Sequence, residues 1–463
     1  MANRREFLKG LSGLTGLSVL EHVAPSALSS LVFGAQRALA SPEADPSARF
    51  VLFRVHGAMD STLGLHPHLS SIQGIDPLDL FLGYEGENQP LMNIDGTEIS
   101  LGPSARVIAP FAKEMAIVRG LYVGPNDLGH PFAIQHMSSG RTQESAPHYS
   151  AYIGSHFSQS GAYVVTNAPI QRGQLSSFPT LLTSVLREQL INMAHGKKSS
   201  TLSVYANSKH GVTRFLDLQG QRQKLAKFVE ILGGQSNEID QQEYDQQISR
   251  GASQEMARAR AQAKVLKDED LAFASLYSGI SRVAQIDLRT EEGQTLDTHV
   301  QHAQNHLNAQ LARWERIAKF LGNLRQHDLL KDTLVVVVSE FNRTPGLNAN
   351  GGKDHNYSDN AVAVFGRGVN GGNVIGDRSL FKREDGFPYA FWAGSFIDFA
   401  SGEVVPVDRE TWQNKGRTAA VPKGVDLIRP PDLWASVLHS IDPKIGHFAP
   451  HDSRIIPRIF KQI

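Results

Sequence analysis

Four consecutive valines, Val335 to Val338, are the strongest pattern in the chain. A run apolar on every position predicts a strand buried on both faces, as in the centre of a sheet covered by helices. Further strands are expected at Arg49 to Val55, Met115 to Val123 and Ala361 to Gly366, with another candidate at Thr201 to Tyr205. Between the strands the period changes to that of helices. The stretch after Asp297, to about His327, carries Leu307, Leu311, Trp314, Ile317, Phe320, Leu321 and Leu324 as one apolar stripe. A helix is expected from His130 to about Ser138, and another starts at Pro430, Pro431 and Asp432. From 215 to about 282 the residues are mostly Gln, Glu, Lys, Arg and Ala with apolar positions at helical spacing, which predicts a helical insertion broken at Gly233 and Gly234.

Strands alternating with helices predict an α/β domain from 49 to 463, with a mixed, mostly parallel central sheet sandwiched by helices. In such a sheet, ligands bind beyond the C-terminal ends of the strands. Asp60 follows the first strand, Glu340 ends the valine strand, and a Gly- and Asn-rich loop bears Asp354 and His355. All of these are expected to emerge at one edge.

The N-terminus adds a destination. Asn3, Arg4, Arg5, Glu6, Phe7, Leu8 and Lys9 form a twin-arginine pattern, a mildly apolar run reaches Leu20, and Ala38 to Ala40 offer a small-residue cleavage site. Residues 1–40 are therefore expected to be a signal peptide read by the twin-arginine translocation machinery, and 41–48 a linker. The mature protein is expected to be periplasmic or secreted, exported folded. No segment is long and apolar enough for a stable membrane span.

Composition narrows the chemistry. With 46 basic and 46 acidic residues, the net charge of zero gives no reason to expect a nucleic-acid partner. The absence of cysteine excludes thiolate metal sites, iron–sulfur clusters and cysteine nucleophiles. Any metal must be held by carboxylate and imidazole, and the chain has 18 histidines. A redox enzyme fits poorly, because the Gly-rich run after Gly366 opens no helix of the dinucleotide-binding kind.

The candidate divalent-metal residues are Asp297 and His299, Glu340, and the Asp354–His355 pair. Asp297 and His299, two apart, do not share a helical face, so they converge on one ion only if that segment is extended. A plain reading of Asp297 as a helix N-cap stands beside this one. His302 and His306 are expected on a solvated or packing face. A carboxylate directly after four buried valines needs a cation or a donor. Arg343 is that donor for Glu340, as a salt bridge or as a clamp for a bound anion. His130, at a helix N-terminus where anions are favoured, is a candidate catalytic residue. The Ser61 hydroxyl beside Asp60 is a second.

The order of these residues resembles the alkaline phosphatase–sulfatase superfamily, and more narrowly the domain-of-unknown-function 1501 family. The resemblance is carried by Asp297 to His299, Leu330 to Pro345, Asp354 with His355, Val369 to Gly376 and Asp432 to Leu438. It implies an alkaline-phosphatase-like fold and two metal ions: Asp297, His299 and His355 would hold one, Asp60 and Glu340 the other. The superfamily's nucleophile position matches His130. Two departures stand out: Phe341 follows Glu340 where the superfamily has a histidine, and no nucleophilic motif is recognisable. The resemblance thus implies an exported metal-dependent hydrolase of phosphate or sulfate esters, using zinc, manganese, calcium or magnesium on a small anionic ester. The alternative is a non-catalytic exported binding or assembly protein on a degenerate scaffold.

Overall fold

The computed structural model describes residues 45–461, except 46, 68–78, 82–91, 125–128, 144–145, 158–163, much of 168–238, 290–294, 384–389 and 415–420. The expected signal peptide, most of the expected linker and the expected break at Gly233–Gly234 lie outside the described residues.

Among the described residues the main sheet has ten strands: β1 (Arg49–Val55), β2 (Met115–Val118), β3 (Val164–Thr166), β4 (Thr180–Leu182), β5 (Thr201–Tyr205), β6 (Thr213–Asp217), β7 (Val283–Leu288), β8 (Thr333–Ser339), β9 (Val362–Gly366) and β10 (Val374–Ile375). Their order across the sheet is β10-β2-β9-β8-β1-β7-β3-β4-β5-β6. Five of the nine neighbouring pairs are parallel and four antiparallel, so the sheet is mixed and mostly parallel, as expected. The valine strand, β8, lies inside the sheet with every residue buried.

Helices cover both faces, which is why the central strands are apolar on every position. Val51, Phe53, Val335 and Val337 pack on the face covered by α5 (Asp268–Ser278) and α6 (His302–Gln326). Phe50, Leu52, Val336 and Val338 face α1 (Gly129–Ser139), α2 (Tyr149–His156) and α7 (Pro430–Ile441). The intervening α3 (Gln241–Ser249) and α4 (Gln254–Val265) belong to the stretch expected as an insertion. Its start at 215 falls inside β6, and α5 contributes Leu271, Phe273 and Leu276 to the main core rather than a solvated cover. Among the described residues no helix is long and apolar enough to cross a membrane.

Strands β7, β1 and β8 run side by side in parallel, with Val55 opposite both Leu288 and Ser339. The residues that follow them, His56, Arg289 and Glu340, therefore leave the sheet on one side. This edge carries the candidate site.

Candidate metal centre

The local backbone decides which side chains meet. Helix α6 begins at His302, not at Asp297, because Gln301 adopts a left-handed conformation (φ 50°) that ends the preceding segment. The stretch 297–299 stays outside the helix. Asp297 and His299 are partly solvent-facing while Thr298 points inward and is buried, so the two candidate ligands share a side. Val300 bridges to Gly351, and Gly352 presses against His299, where a Cβ would sit 2.0 Å from its carbonyl carbon. Only glycine permits that approach, and it carries the loop directly into His355. That residue pairs in turn as a short antiparallel bridge with Arg343.

His130, Asp297, His299 and His355 each offer one donor atom, and these atoms lie within 4.8 Å of one another. Nε2 of His130 is 3.2 Å from Asp297 Oδ1, Nε2 of His299 3.1 Å, and Nε2 of His355 3.9 Å. The Nε2 atoms of His299 and His355 are 3.0 Å apart. Four donors around a metal at about 2.1 Å in tetrahedral geometry stand about 3.4 Å from each other, which these separations bracket.

The opposite nitrogen of each imidazole is occupied. His130 Nδ1 donates to Glu340 Oε2, His299 Nδ1 to Asp354 Oδ1 at 2.8 Å, and His355 Nδ1 lies 3.0 Å from the Tyr357 hydroxyl. A carboxylate partner on Nδ1 fixes the proton there and leaves Nε2 with its lone pair. For His130 and His299 the Nε2 atoms point at the same region beside Asp297 Oδ1, and each is free to bind a cation once any proton on it has left. Converging lone pairs repel unless a cation or protons sit between them. The donor set fits a divalent ion of the imidazole- and carboxylate-binding kind.

A second ring of contacts holds the four in place. Phe341 packs against the rings of His130, His355 and Tyr357 at 4.4–4.9 Å. The Tyr357 hydroxyl also accepts from the backbone N–H of Gly129 at the start of α1, tying the helix that bears His130 to the loop that bears His355. Behind Glu340, His56 Nδ1 lies 3.6 Å from Oε1, and its Nε2 is 3.2 Å from Asp287, which pairs with the buried Arg54.

The charges bear this out. Burial would lower the pKa of His130, but hydrogen bonds to Asp297 and Glu340 outweigh it and raise it to about 9. The hydrogen bond to His130, then His355 and the Arg343 guanidinium, hold the Asp297 carboxylate far below the ordinary range. Without a metal, His130 therefore carries the charge that compensates the two carboxylates. Burial lowers His355.

The structure brings together Asp297, His299 and His355 as the resemblance implied, and adds His130, which joins the donor set instead of standing apart as a nucleophile. Glu340 backs His130 and is not among the grouped donors. The expected anion clamp is not available: Arg343 is fully buried and its guanidinium donates to the carbonyls of Gly57, Ala58, Leu296 and Lys353 and to Asp297 Oδ1. It orients Asp297. Ser61 is buried, its Oγ accepting from Arg378 at 2.7 Å. Asp60, expected to help hold a second metal, is fully buried in a separate network with Lys353 and His302. Burial alone would raise its pKa, and the Lys353 charge holds it well below the ordinary value. His302 and His306 are buried, not solvated. Sequence reading missed Thr298, Lys353 and Tyr357; the alternation in 297–299 hinted at the first, and nothing marked the other two.

No curated protein matches the chain. Among solved structures, a Bacteroides thetaiotaomicron protein described under the metabolism of multiple glycosaminoglycans shares 11% identity over 89% of this chain and 76% of its own, with a TM-score of 0.35. A sulfatase from Pseudoalteromonas sp. shares 9% over 76% and 68% (TM-score 0.28), and a phosphonate monoester hydrolase from Silicibacter pomeroyi 9% over 71% and 70% (TM-score 0.26). These TM-scores are too low to transfer a site or a substrate. The family model described as "Protein of unknown function (DUF1501)" matches residues 158–386, a stretch that contains Asp297, His299, Glu340, Arg343 and His355. Over that stretch, just under half of the chain, this protein matches the DUF1501 family.

Proposed function

We propose that this protein is a metal-dependent hydrolase of phosphate or sulfate esters, exported by the twin-arginine route, with one divalent ion on His130, His299, His355 and Asp297. The observation that carries the reading is the convergence of three imidazole nitrogens and one carboxylate oxygen, with the far nitrogen of each ring already engaged. A divalent ion in such a set supplies Lewis acidity, acidifying water and polarising a phosphoryl or sulfuryl oxygen.

The protein's own groups do the rest. Glu340 and Asp354 aim the imidazoles, Arg343 holds Asp297, and Phe341 packs against the His130 and His355 rings. Asp297 and His299 are each 43% exposed at the side chain, so a solute reaches the centre from solvent. With Arg343 spent on carbonyls, the ion itself is the main attraction for an anionic ester.

A second reading, a binding protein on a degenerate scaffold, is favoured by one specific observation: Ser61, the hydroxyl candidate for nucleophile, is buried against Arg378. Metal analysis of the purified mature protein comes first, and a protein that takes up no zinc, manganese, calcium or magnesium overturns the metal reading. Screening phosphate mono- and diesters and sulfate esters with each metal then separates the two. Turnover abolished by Asp297→Ala establishes the hydrolase, whereas stoichiometric metal without turnover establishes the binding protein.

A further inference from the structure

We infer that the Lys353 ammonium is a built-in cation that neutralises Asp60, so that the protein binds one metal ion and not two. The one-ion count rests on the metal reading above; the role of Lys353 does not.

Asp60 has no solvent exposure, and a carboxylate so buried must be compensated. Lys353, itself fully buried, supplies the compensation: its Nζ is 2.7 Å from Asp60 Oδ2. Its Oδ1 accepts from the Thr62 N–H at 2.8 Å. The Asp60 N–H donates to Gln310 Oε1 at 2.8 Å, His306 Nε2 donates to the same oxygen at 2.9 Å, and the Gln310 amide donates back to the Asp60 carbonyl at 3.0 Å. The Thr298 hydroxyl lies between the Nδ1 atoms of His302 and His306, at 2.7 and 2.8 Å, and His302 Nε2 lies 3.2 Å from Asp60 Oδ2.

An ion on Asp60 would have to displace the ammonium from Oδ2 in a pocket closed to solvent, and His306 Nε2 is already engaged with Gln310. The surroundings of Asp60 are built to donate, those of Asp297 to accept a cation.

Lys353 also ties the site together. Its backbone N–H donates to the Thr298 carbonyl at 3.0 Å, and its own carbonyl accepts from Arg343 at 3.1 Å. The ammonium thus pins, from below, a residue lying between Asp297–His299 on one side and Asp354–His355 on the other. Lys353 is a positioning residue for the centre and touches no solute.

Metal stoichiometry and a stability cycle test this together. Wild type, stripped and reloaded with excess zinc or manganese, is expected to hold one equivalent after desalting, and Asp60→Asn to hold the same. Lys353→Met, which removes the charge at nearly constant length, is expected to lower the melting temperature of the metal-free protein by roughly 4–6 °C. The double variant Lys353→Met with Asp60→Asn is expected to recover most of that loss, because no charge is then left unpaired; it also stands in if the single variant does not fold. Two equivalents in wild type that fall to one in Asp60→Asn overturn the inference. So does a double variant whose loss equals the sum of the two single losses. Zero equivalents in wild type overturns the metal reading instead, and the stability cycle still decides whether Lys353 serves Asp60.

Discussion

Two carboxylates stand behind histidines of the centre, and their different burial predicts different effects. Glu340, with 3% of its side chain exposed, accepts from His130 Nδ1; Asp354, 46% exposed, accepts from His299 Nδ1. Removing such a partner weakens metal binding about 10- to 100-fold, or roughly 1.4–2.8 kcal/mol. Where within that range each falls depends on screening, since a pair of charges interacts about four times more strongly at a protein-like dielectric than in bulk water. Asp354 also accepts from Asn348 Nδ2 at 3.0 Å and is open to water, so Asp354→Asn is expected near or below the tenfold end. Glu340→Gln, buried, is expected near the hundredfold end. Both variants are expected to bind one ion at saturation, because neither carboxylate is a ligand. Competition against a chromophoric chelator gives the affinities, and elemental analysis of the saturated protein gives the count. A Glu340→Gln protein that cannot be saturated makes Glu340 a ligand and refutes the assignment. Equal affinities for the two variants, or a larger loss in Asp354→Asn, refute the burial argument.

The centre is also expected to respond to pH. In the metal-free protein His130 is raised from 6.5 to about 9, so its contribution to stability is complete below about pH 6.5 and disappears as the pH rises through 9. Metal must displace that proton, so apparent affinity is expected to rise as pH increases from about 7 and to level off above 9, with proton release visible by calorimetry in two buffers. An affinity that is flat across this window contradicts the His130 assignment. Gly352→Ala would place a Cβ 2.0 Å from the His299 carbonyl. It is expected to push the loop outward, separating His299 from His355, and to lose most metal affinity while the melting temperature of the metal-free protein falls by only a few degrees; unchanged affinity removes that loop contact from the design of the site. Arg343→Lys cannot reproduce five contacts from one planar group. It is expected to free Asp297 and weaken metal binding together with stability, measured by chelator competition and thermal unfolding, and a variant with wild-type values in both would show that Asp297 needs no orienting partner.

Those parts of the protein that follow from local pattern were legible in its sequence. Four valines in a row can only be satisfied by burial on both faces, and β8 indeed lies inside a sheet covered on both sides. The stripe of Trp314, Ile317, Phe320 and Leu324 forms the buried face of α6. Asp297, His299 and His355 were legible because ligand-type residues near strand ends are conspicuous. The partition of the remaining polar residues was not. Asp60 and Glu340 look alike in sequence, each an acid after a buried strand, yet one meets an ammonium reaching across from residue 353 and the other an imidazole from residue 130. His130 was expected as a catalytic residue at a helix start, and only the fold shows Asp297 and Glu340 closing on it from parts of the chain more than a hundred residues away. Arg343 was expected to serve Glu340 or a bound anion because its four carbonyl partners carry no side-chain signature. Periodicity records whether a position faces the core, and so it determined the sheet, the helices and the edge at which the site lies. Which buried charge finds which partner is a matter of contacts a few ångströms long between distant segments, and only the tertiary structure decided it.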